Sequence, residues 1–309
     1  MAKTKVAILF GGISAEHEVS IMTAKSIMDN IDTAKFEVIP VEISQNGDFE
    51  LEKVREADVV FPAMHGVGGE DGTIQGFCEV IQKPYVGAGV EASILALDKI
   101  VQKQIFKTLG LPIPSYQFFT KKEWQEKPAE ISNNIVTPVF IKPAHTGSTI
   151  GISKVTKIHE LQNAVVRALE FDDKIIVEEA LDDIREIEVA VLGNDTLTIS
   201  EPGEITPKDE FYTYDNKYNG DGAELSIPAK LSKEKISEVQ DLAERAYRAL
   251  GCRGMARVDF FIEKPEGKVY INELNTIPGF TKTSMYPKLM EASGISYKEL
   301  LTRLINLAM

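Results

Sequence analysis

Cysteine is scarce in this chain of 309 residues: only Cys78 and Cys252 occur, far apart and with no second pair at metal-ligand spacing. That scarcity excludes a disulfide framework and a structural zinc site, and it points to a reducing, cytoplasmic setting. Positive charge is also short. The formal net charge of -13 at pH 7 repels nucleic acid and anionic membrane at long range, although one local basic pocket for phosphate stays compatible with it. Long apolar runs are missing too. No stretch approaches the roughly 20 residues that span a bilayer. The run at residues 6–10 is too short for a secretory core and reads as a buried first strand. Neither an internal repeat nor a low-complexity tract is present. The length exceeds what one compact core usually holds, so the expectation is a soluble protein of two or three lobes around a cleft.

The pattern of what is there divides into three stretches. From residue 1 to 98, apolar runs at 6–10, 36–43 and 57–64 alternate with helical stretches at 19–31 and 73–81. Strand, glycine turn, helix, strand is the mark of a parallel sheet with right-handed crossovers. Its functional residues belong at the carboxyl ends of the strands, where Gly11-Gly12 and His65-Gly66 fall. Residues 99–183 read as a smaller α+β lobe, with helices at 99–109 and around Leu161 to Leu169 and strands at 116–119, 139–142, 151–155 and 174–178. Residues 184–309 hold further strands, a long polar loop near 203–223, a helix at 232–250 and a final helix at 297–308. Between those helices lies a β-hairpin with arms 255–262 and 268–275 around Pro265-Glu266-Gly267. The fold class expected is mixed α/β and α+β, in three lobes.

That hairpin carries the densest chemistry. Alternate strand residues share a face, so Arg257 pairs in direction with Asp259, and Glu273 with Asn275. The turn places Asp259 opposite Glu273, give or take one residue. Two carboxylates and an amide oxygen form a hard donor set suited to Mg²⁺ that also binds substrate phosphates. A solvated strand face is the plain alternative. Against it, Val258, Phe260 and Ile262 look inward on the other side while Phe261 and Ile271 flank the acids, and buried charge needs a partner. After the hairpin, Gly279 in Thr276-Ile277-Pro278-Gly279-Phe280-Thr281 allows close backbone approach and offers an N–H beside Arg257, unless it merely makes a tight turn.

Two loops add candidates. Lys142 to Gly151 brings hydroxyls, glycines and a lysine between two strands; it suits phosphate oxygens, or is a plain hairpin loop, and it is not a P-loop. Residues 210–220 are long, polar and aromatic, which favours a lid over a mobile surface excursion.

Together these segments resemble the D-alanine–D-alanine ligases of the ATP-grasp superfamily over essentially the whole chain. The resemblance is carried, in the family's order, by Gly11 to Ser20, His65 to Thr73, Lys142 to Gly151, Asp215-Asn216-Lys217-Tyr218, and Glu273 to Thr281 with Ser284. It implies that Glu16 holds the ammonium of a first D-alanine and that His65 lies near its carboxylate. Lys99, Lys142 and Lys217 would contact ATP phosphates. Glu178 and Leu181 match the hinge segment at adenine and ribose, together with Glu186. Asp259, Glu273 and Asn275 would bind two Mg²⁺ ions, with Mn²⁺ as an alternative and K⁺ as a candidate activator. Arg257 and the Gly279 N–H would face an oxyanion, and Ser284 with the Met285 backbone would receive the second D-alanine's carboxylate. Ser148 and Tyr218 would join Glu16 in a network that closes the lid. Thr149 stands where the family usually has a second Ser, and Asp215-Asn216 replaces its frequent Glu-Ala.

The implied reaction is ATP-dependent ligation of two D-alanines through an acyl phosphate, for peptidoglycan precursors, by a cytoplasmic homodimer that binds neither nucleic acid nor membrane. Tyr218 favours an amine nucleophile, because relatives that make D-alanyl-D-lactate carry His or Phe there; a D-serine ligase is the nearer alternative. A nicotinamide-dependent oxidoreductase is disfavoured, since the glycines at 11–12 lack the third fingerprint glycine and the expected acid. A nucleotide-binding module without catalysis would not need the full Asp259, Glu273 and Asn275 set.

Overall fold

The computed structural model describes residues 2–207, 223–265 and 267–309. The expected lid at 210–220, with Lys217 and Tyr218, lies outside the described residues.

The amino-terminal part runs β1 (Thr4–Gly11), α1 (His17–Asn30), β2 (Phe36–Ile43), α2 (Leu51–Glu56), β3 (Val59–Pro62), α3 (Thr73–Val80) and α4 (Val90–Leu97). Its three strands pair in parallel, in the order β2-β1-β3. Val6, Ala7, Ile8 and Leu9 are all fully buried, as expected of a central parallel strand covered on both faces. Gly11 ends β1 at φ +86°, and a Cβ there would lie 2.4 Å from the carbonyl oxygen of Ile43. Only glycine suits both constraints.

Next come α5 (Lys99–Thr108), β4 (Tyr116–Thr120), α6 (Lys121–Glu126), α7 (Pro128–Asn133), β5 (Val139–Pro143), β6 (Ser153–Val155), α8 (Leu161–Ala168) and β7 (Lys174–Glu179). The strands form an antiparallel sheet, β4-β7-β5-β6. Ile141 and Val177 on one face bury against Leu161 and Val165 of α8.

The remainder is β8 (Ile184–Gly193), β9 (Leu197–Ile199), β10 (Gly203–Pro207), β11 (Ala223–Ser226), α9 (Lys233–Ala249), β12 (Met255–Glu263), β13 (Val269–Asn275), α10 (Met285–Ala292) and α11 (Tyr297–Ala308). The sheet order is β11-β10-β8-β12-β13, with β9 on β8. Along β12, Ala256, Val258, Phe260 and Ile262 are buried against Val239, Leu242 and Ala246 of α9. Arg257, Asp259 and Phe261 take the opposite face. Leu300 and Leu304 of α11 share a core with Val6 and Ile8, so the last helix closes on the first strand.

The expected mixture of a parallel amino-terminal sheet with α+β regions is what the chain forms. The expected loop at 203–223 needs correction. Gly203–Pro207 and Ala223–Ser226 are paired strands, and β10 also pairs with β8. Glu204 of β10 binds Arg185 of β8 through two bonds of 2.8 and 2.7 Å. Pro202 and Pro207 hid the short alternation between them, in which Gly203 and Ile205 are buried. Helices α2, α4, α6, α7 and α10 also went unread; each has only six or eight residues, too few for a helical period to stand out.

Candidate active site

The amino-terminal contribution is a fastened turn after β1. His17 Nδ1 lies 2.7 Å from the Gly12 carbonyl oxygen, and the Ser20 hydroxyl donates to Ala63 O at 2.7 Å while accepting from Gly11 N–H at 2.8 Å. Ser14 donates to His65 O at 2.7 Å and accepts from Glu16 N–H at 3.1 Å. These bonds set Glu16 at the start of α1, where its carboxylate is only 5% exposed and the positive helix end favours its charge. His65 is also 5% exposed; its Nε2 lies 2.9 Å from Thr23 Oγ1 and its Nδ1 3.4 Å from Glu70 Oε1. At Gly66, φ is +69° and a Cβ would come within 2.7 Å of Glu16 Oε2.

The loop after β5 approaches the same carboxylate from across the molecule. The Ser148 hydroxyl donates to Glu16 Oε1. Ser148 and Thr149 have φ of +49° and +66°, in the left-handed region that L residues rarely occupy. Lys99, the first residue of α5, donates its ammonium to Thr146 O. Below the loop, Lys142 Nζ lies 2.6 Å from Glu178 Oε2, and Lys103 Nζ lies 3.3 Å from Glu178 Oε1. Burial alone would raise the Glu178 pKa, but the two lysines outweigh it and hold the carboxyl at about 2. Burial drags the Lys103 ammonium below its ordinary value, and Glu178 opposes that pull.

The hairpin supplies the third wall. Asp259 pairs directly across from Glu273 on β13 and from Glu188 on β8, and Arg257 across from Asn275. Arg257 donates to Asp259 through Nε and Nη2, both at 2.7 Å, and its Nε is 3.0 Å from Glu188 Oε2. Burial works against its charge, but Asp259, Glu188 and Glu273 push the pKa well above the ordinary value. Arg257 is therefore a permanent cation aimed into the cleft. At Gly279 a Cβ would lie 2.6 Å from Ser284 Oγ, so the bare glycine allows its backbone to sit against that hydroxyl. Ser284 in turn accepts from Thr281 N–H at 3.0 Å.

Glu16, His65, Lys99, Ser148, Arg257, Glu273, Asn275 and Gly279 line one cavity of about 110 Å³. Glu186, Asp259, Ser284 and Met285 line a second of about 160 Å³, which shares Arg257, Glu273 and Gly279 with the first. Lys142 and Glu178 line neither cavity and are paired beneath them. Leu181 instead borders a third hollow of about 660 Å³, with Glu179 and Ala180. Three contributors went unread in the sequence. Glu188 stands two residues after Glu186 on a strand and so shares its face. Lys103 stands one helical turn after Lys99. His145 lies inside the glycine–hydroxyl loop. Strand and helix periods were the available signals for the first two.

Among the described residues, no group of three His, Cys, Asp or Glu side chains is arranged to hold a metal. Asp259, Glu273 and Asn275 offer two carboxylates and an amide instead, which fits a hard ion that takes its other ligands from water and phosphate. No helix among the described residues is long and apolar enough to cross a membrane.

Residues 105–306 match the family described as D-ala D-ala ligase C-terminus, and residues 5–55 and 49–88 match D-ala D-ala ligase N-terminus. A D-alanine–D-alanine ligase of Caldicellulosiruptor bescii is 46% identical over 100% of this chain and 96% of its own length. One from Clostridium novyi is 44% identical over 99% of this chain and 98% of its own. Among solved structures, the VanG D-Ala:D-Ser ligase of Enterococcus faecalis superposes with a TM-score of 0.88 at 34% identity, all of both chains being covered. The D-alanine–D-alanine ligase of Coxiella burnetii does so at 0.85 and 33%, covering all of this chain and 94% of that one.

Proposed function

The chain belongs to the D-alanine–D-alanine ligase family, and we propose that it uses ATP to join two D-alanines into the dipeptide that enters peptidoglycan precursors. The observation that carries this reading is the single cavity in which Glu16 and His65 meet Lys99, Ser148, Arg257 and Gly279. A carboxylate for an ammonium, cations for phosphate and an oxyanion pair are what the reaction requires at one place.

In the first step a carboxylate oxygen of the first D-alanine attacks the γ-phosphorus of ATP, and ADP leaves. The protein's part is position and charge. Glu16 holds the ammonium, and His65, braced by Thr23 and Glu70, borders the carboxylate. Lys99 faces the phosphates from the cavity wall, and Lys142, here paired with Glu178 at the root of the loop, and Lys217, outside the described residues, are the other lysines assigned to them. Glu178, Leu181 and Glu186 belong to the hinge and strand at adenine and ribose, and Glu178 also pairs with Lys142. In the second step the amine of the second D-alanine attacks the acyl carbon and phosphate departs. Arg257 and the Gly279 N–H stabilise the oxyanion between these events. Ser284 and the Met285 backbone hold the second carboxylate.

Asp259, Glu273 and Asn275 are the residues that would hold Mg²⁺, and the bound metal supplies charge neutralisation on the phosphates. In the present arrangement both Asp259 oxygens accept from Arg257, so a bound ion would have to share or replace one of those bonds. A cytoplasmic homodimer with lobes at 1–98, 99–183 and 184–309 completes the proposal. The three separate sheets support that division. Helix α5 opens the middle lobe but packs with two, its Ile100 with Ala144 and Ile176 and its Phe106 with the carboxyl-terminal core.

The test is a product assay with purified protein, Mg²⁺, ATP and D-alanine, reading ADP and dipeptide mass together. Dipeptide in step with ADP, and none from L-alanine, is the expected result. ADP without dipeptide would turn attention to D-serine as nucleophile, the reading that the resemblance to the D-Ala:D-Ser ligase favours. Tyr218→Phe should raise depsipeptide over dipeptide when D-lactate competes; an unchanged ratio would remove Tyr218 from nucleophile choice.

A further inference from the structure

The glycine–hydroxyl loop takes its starting position from one histidine. The backbone N–H of His145 donates to Asp172 Oδ2 at 2.8 Å, and its ring Nδ1 lies 2.8 Å from the same oxygen. Its Nε2 lies 3.1 Å from Asp98 Oδ2. Asp98 is the N-cap of α5, where its other oxygen accepts from the N–H groups of Ile100 and Val101. Lys174 Nζ joins Asp98 Oδ2 at 3.1 Å. The charged groups facing the ring are thus Asp98 from α5, with Asp172 and Lys174 from the start of β7.

Valence decides the state of the ring. A neutral imidazole has one N–H and one lone pair, so either tautomer would turn a lone pair toward a carboxylate oxygen. Only the imidazolium donates at both nitrogens. We propose that His145, as the doubly protonated ring, is a positioning residue that pins the root of the loop to the first turn of α5 and so sets Lys99 and Ser148 in the cavity. The geometry of the neighbours follows the same line. Lys99 N–H donates to Ala144 O at 3.1 Å, and its ammonium reaches Thr146 O. One residue further, Gly147 passes so close that a Cβ on it would be 3.1 Å from Glu16 Oε2. Ser148 then meets Glu16.

Hydrogen bonds to Asp172 and Asp98 raise the His145 pKa to about 9, against an ordinary 6.5. The sign follows from that rise. In the folded protein the ring stays protonated through neutral pH; the stability it contributes is fully present below the ordinary value and is lost as pH climbs through about 9.

What the pinned loop does in catalysis rests on the ligase reading; the protonation state does not. Histidine-labelled whole protein is first examined by heteronuclear NMR near neutral pH. Two protonated ring nitrogens on His145, identified by loss of its signal in His145→Gln, are expected. A single protonated nitrogen would overturn the proposal, whether or not the enzyme makes dipeptide. Steady-state kinetics then separate positioning from general damage. His145→Gln should raise KM for ATP about tenfold while kcat changes by less than about threefold. His145→Arg, with two donors and a permanent charge, should restore KM to within about twofold and abolish its rise above pH 9. Wild-type KM in His145→Gln, or no recovery in a folded His145→Arg, would sink the positioning role.

Discussion

The β12–β13 hairpin and the loop after β5 serve the same cavity, but they are held by different physics. In the hairpin, Arg257, Asp259, Glu273 and Asn275 each have a fixed cross-strand partner, and Val258, Phe260 and Leu274 are buried behind them. The ladder and the core fix these positions whatever the protonation state. In the loop, Ser148 and Thr149 sit at positive φ, and the approach to Glu16 depends on hydrogen bonds and ion pairs at the root. A framework built on strands gives a permanent charge array, whereas a loop anchored by charges can respond to pH and ligands. The sharpest way to break the comparison is to remove the hairpin's cation. Arg257→Met deletes the proposed oxyanion partner and leaves Asp259, Glu188 and Glu273 facing one another. The expected loss in kcat is about a thousandfold in the coupled ADP and dipeptide assay. A loss under about tenfold would mean that the loop side of the cavity carries the catalytic charge.

One residue joins the two regions. Lys103 donates to Asn272 O on β13 at 2.9 Å and pairs with Glu178, whose other oxygen holds Lys142 at the root of the loop. Both Lys103 and Glu178 are almost wholly buried. Removing one partner of such a cluster leaves charge in a dry site, typically at a cost of about 3 kcal/mol. Lys103→Met should therefore lower stability by about that amount in denaturant titration. Lys103→Met combined with Glu178→Gln should not recover it, because the second change takes the carboxylate away from Lys142 as well. If the single change is neutral, the two regions are held by apolar packing alone.

Legibility in the sequence followed the same divide. The hairpin could be read because strand alternation fixes faces, and a turn at residues 265–267 fixes register to within one residue; Asp259 does pair with Glu273. Helix α11 and strand β2 were readable for the same reason of period. Glu188 escaped notice because its partner Arg257 lies on a strand far along the chain, and pairing between β8 and β12 is a tertiary fact. His145 escaped because the acids that define it come from residues 98 and 172, which only the fold brings together. Glu178 stands in the expected nucleotide hinge, and its burial between two lysines is visible only once α5 is packed.

The smallest expected effect tests whether the loop's backbone is a burden that the hairpin does not carry. Thr149 is β-branched and sits at φ +66°, where an L residue costs roughly 1–2 kcal/mol relative to its usual regions. Asparagine tolerates that region and keeps a polar side chain of similar size. Thr149→Asn relieves that backbone cost but gives up what the threonine side chain itself contacts, so stability should change by less than about 1 kcal/mol in denaturant titration. The same replacement on the buried face of the hairpin, Val258→Asn, puts an amide into an apolar core and should cost several kcal/mol, on the order of 3. A loss of more than about 1 kcal/mol in Thr149→Asn would show that the threonine side chain has contacts outweighing the backbone term. The loop would then be as firmly specified by its side chains as the hairpin is by its ladder.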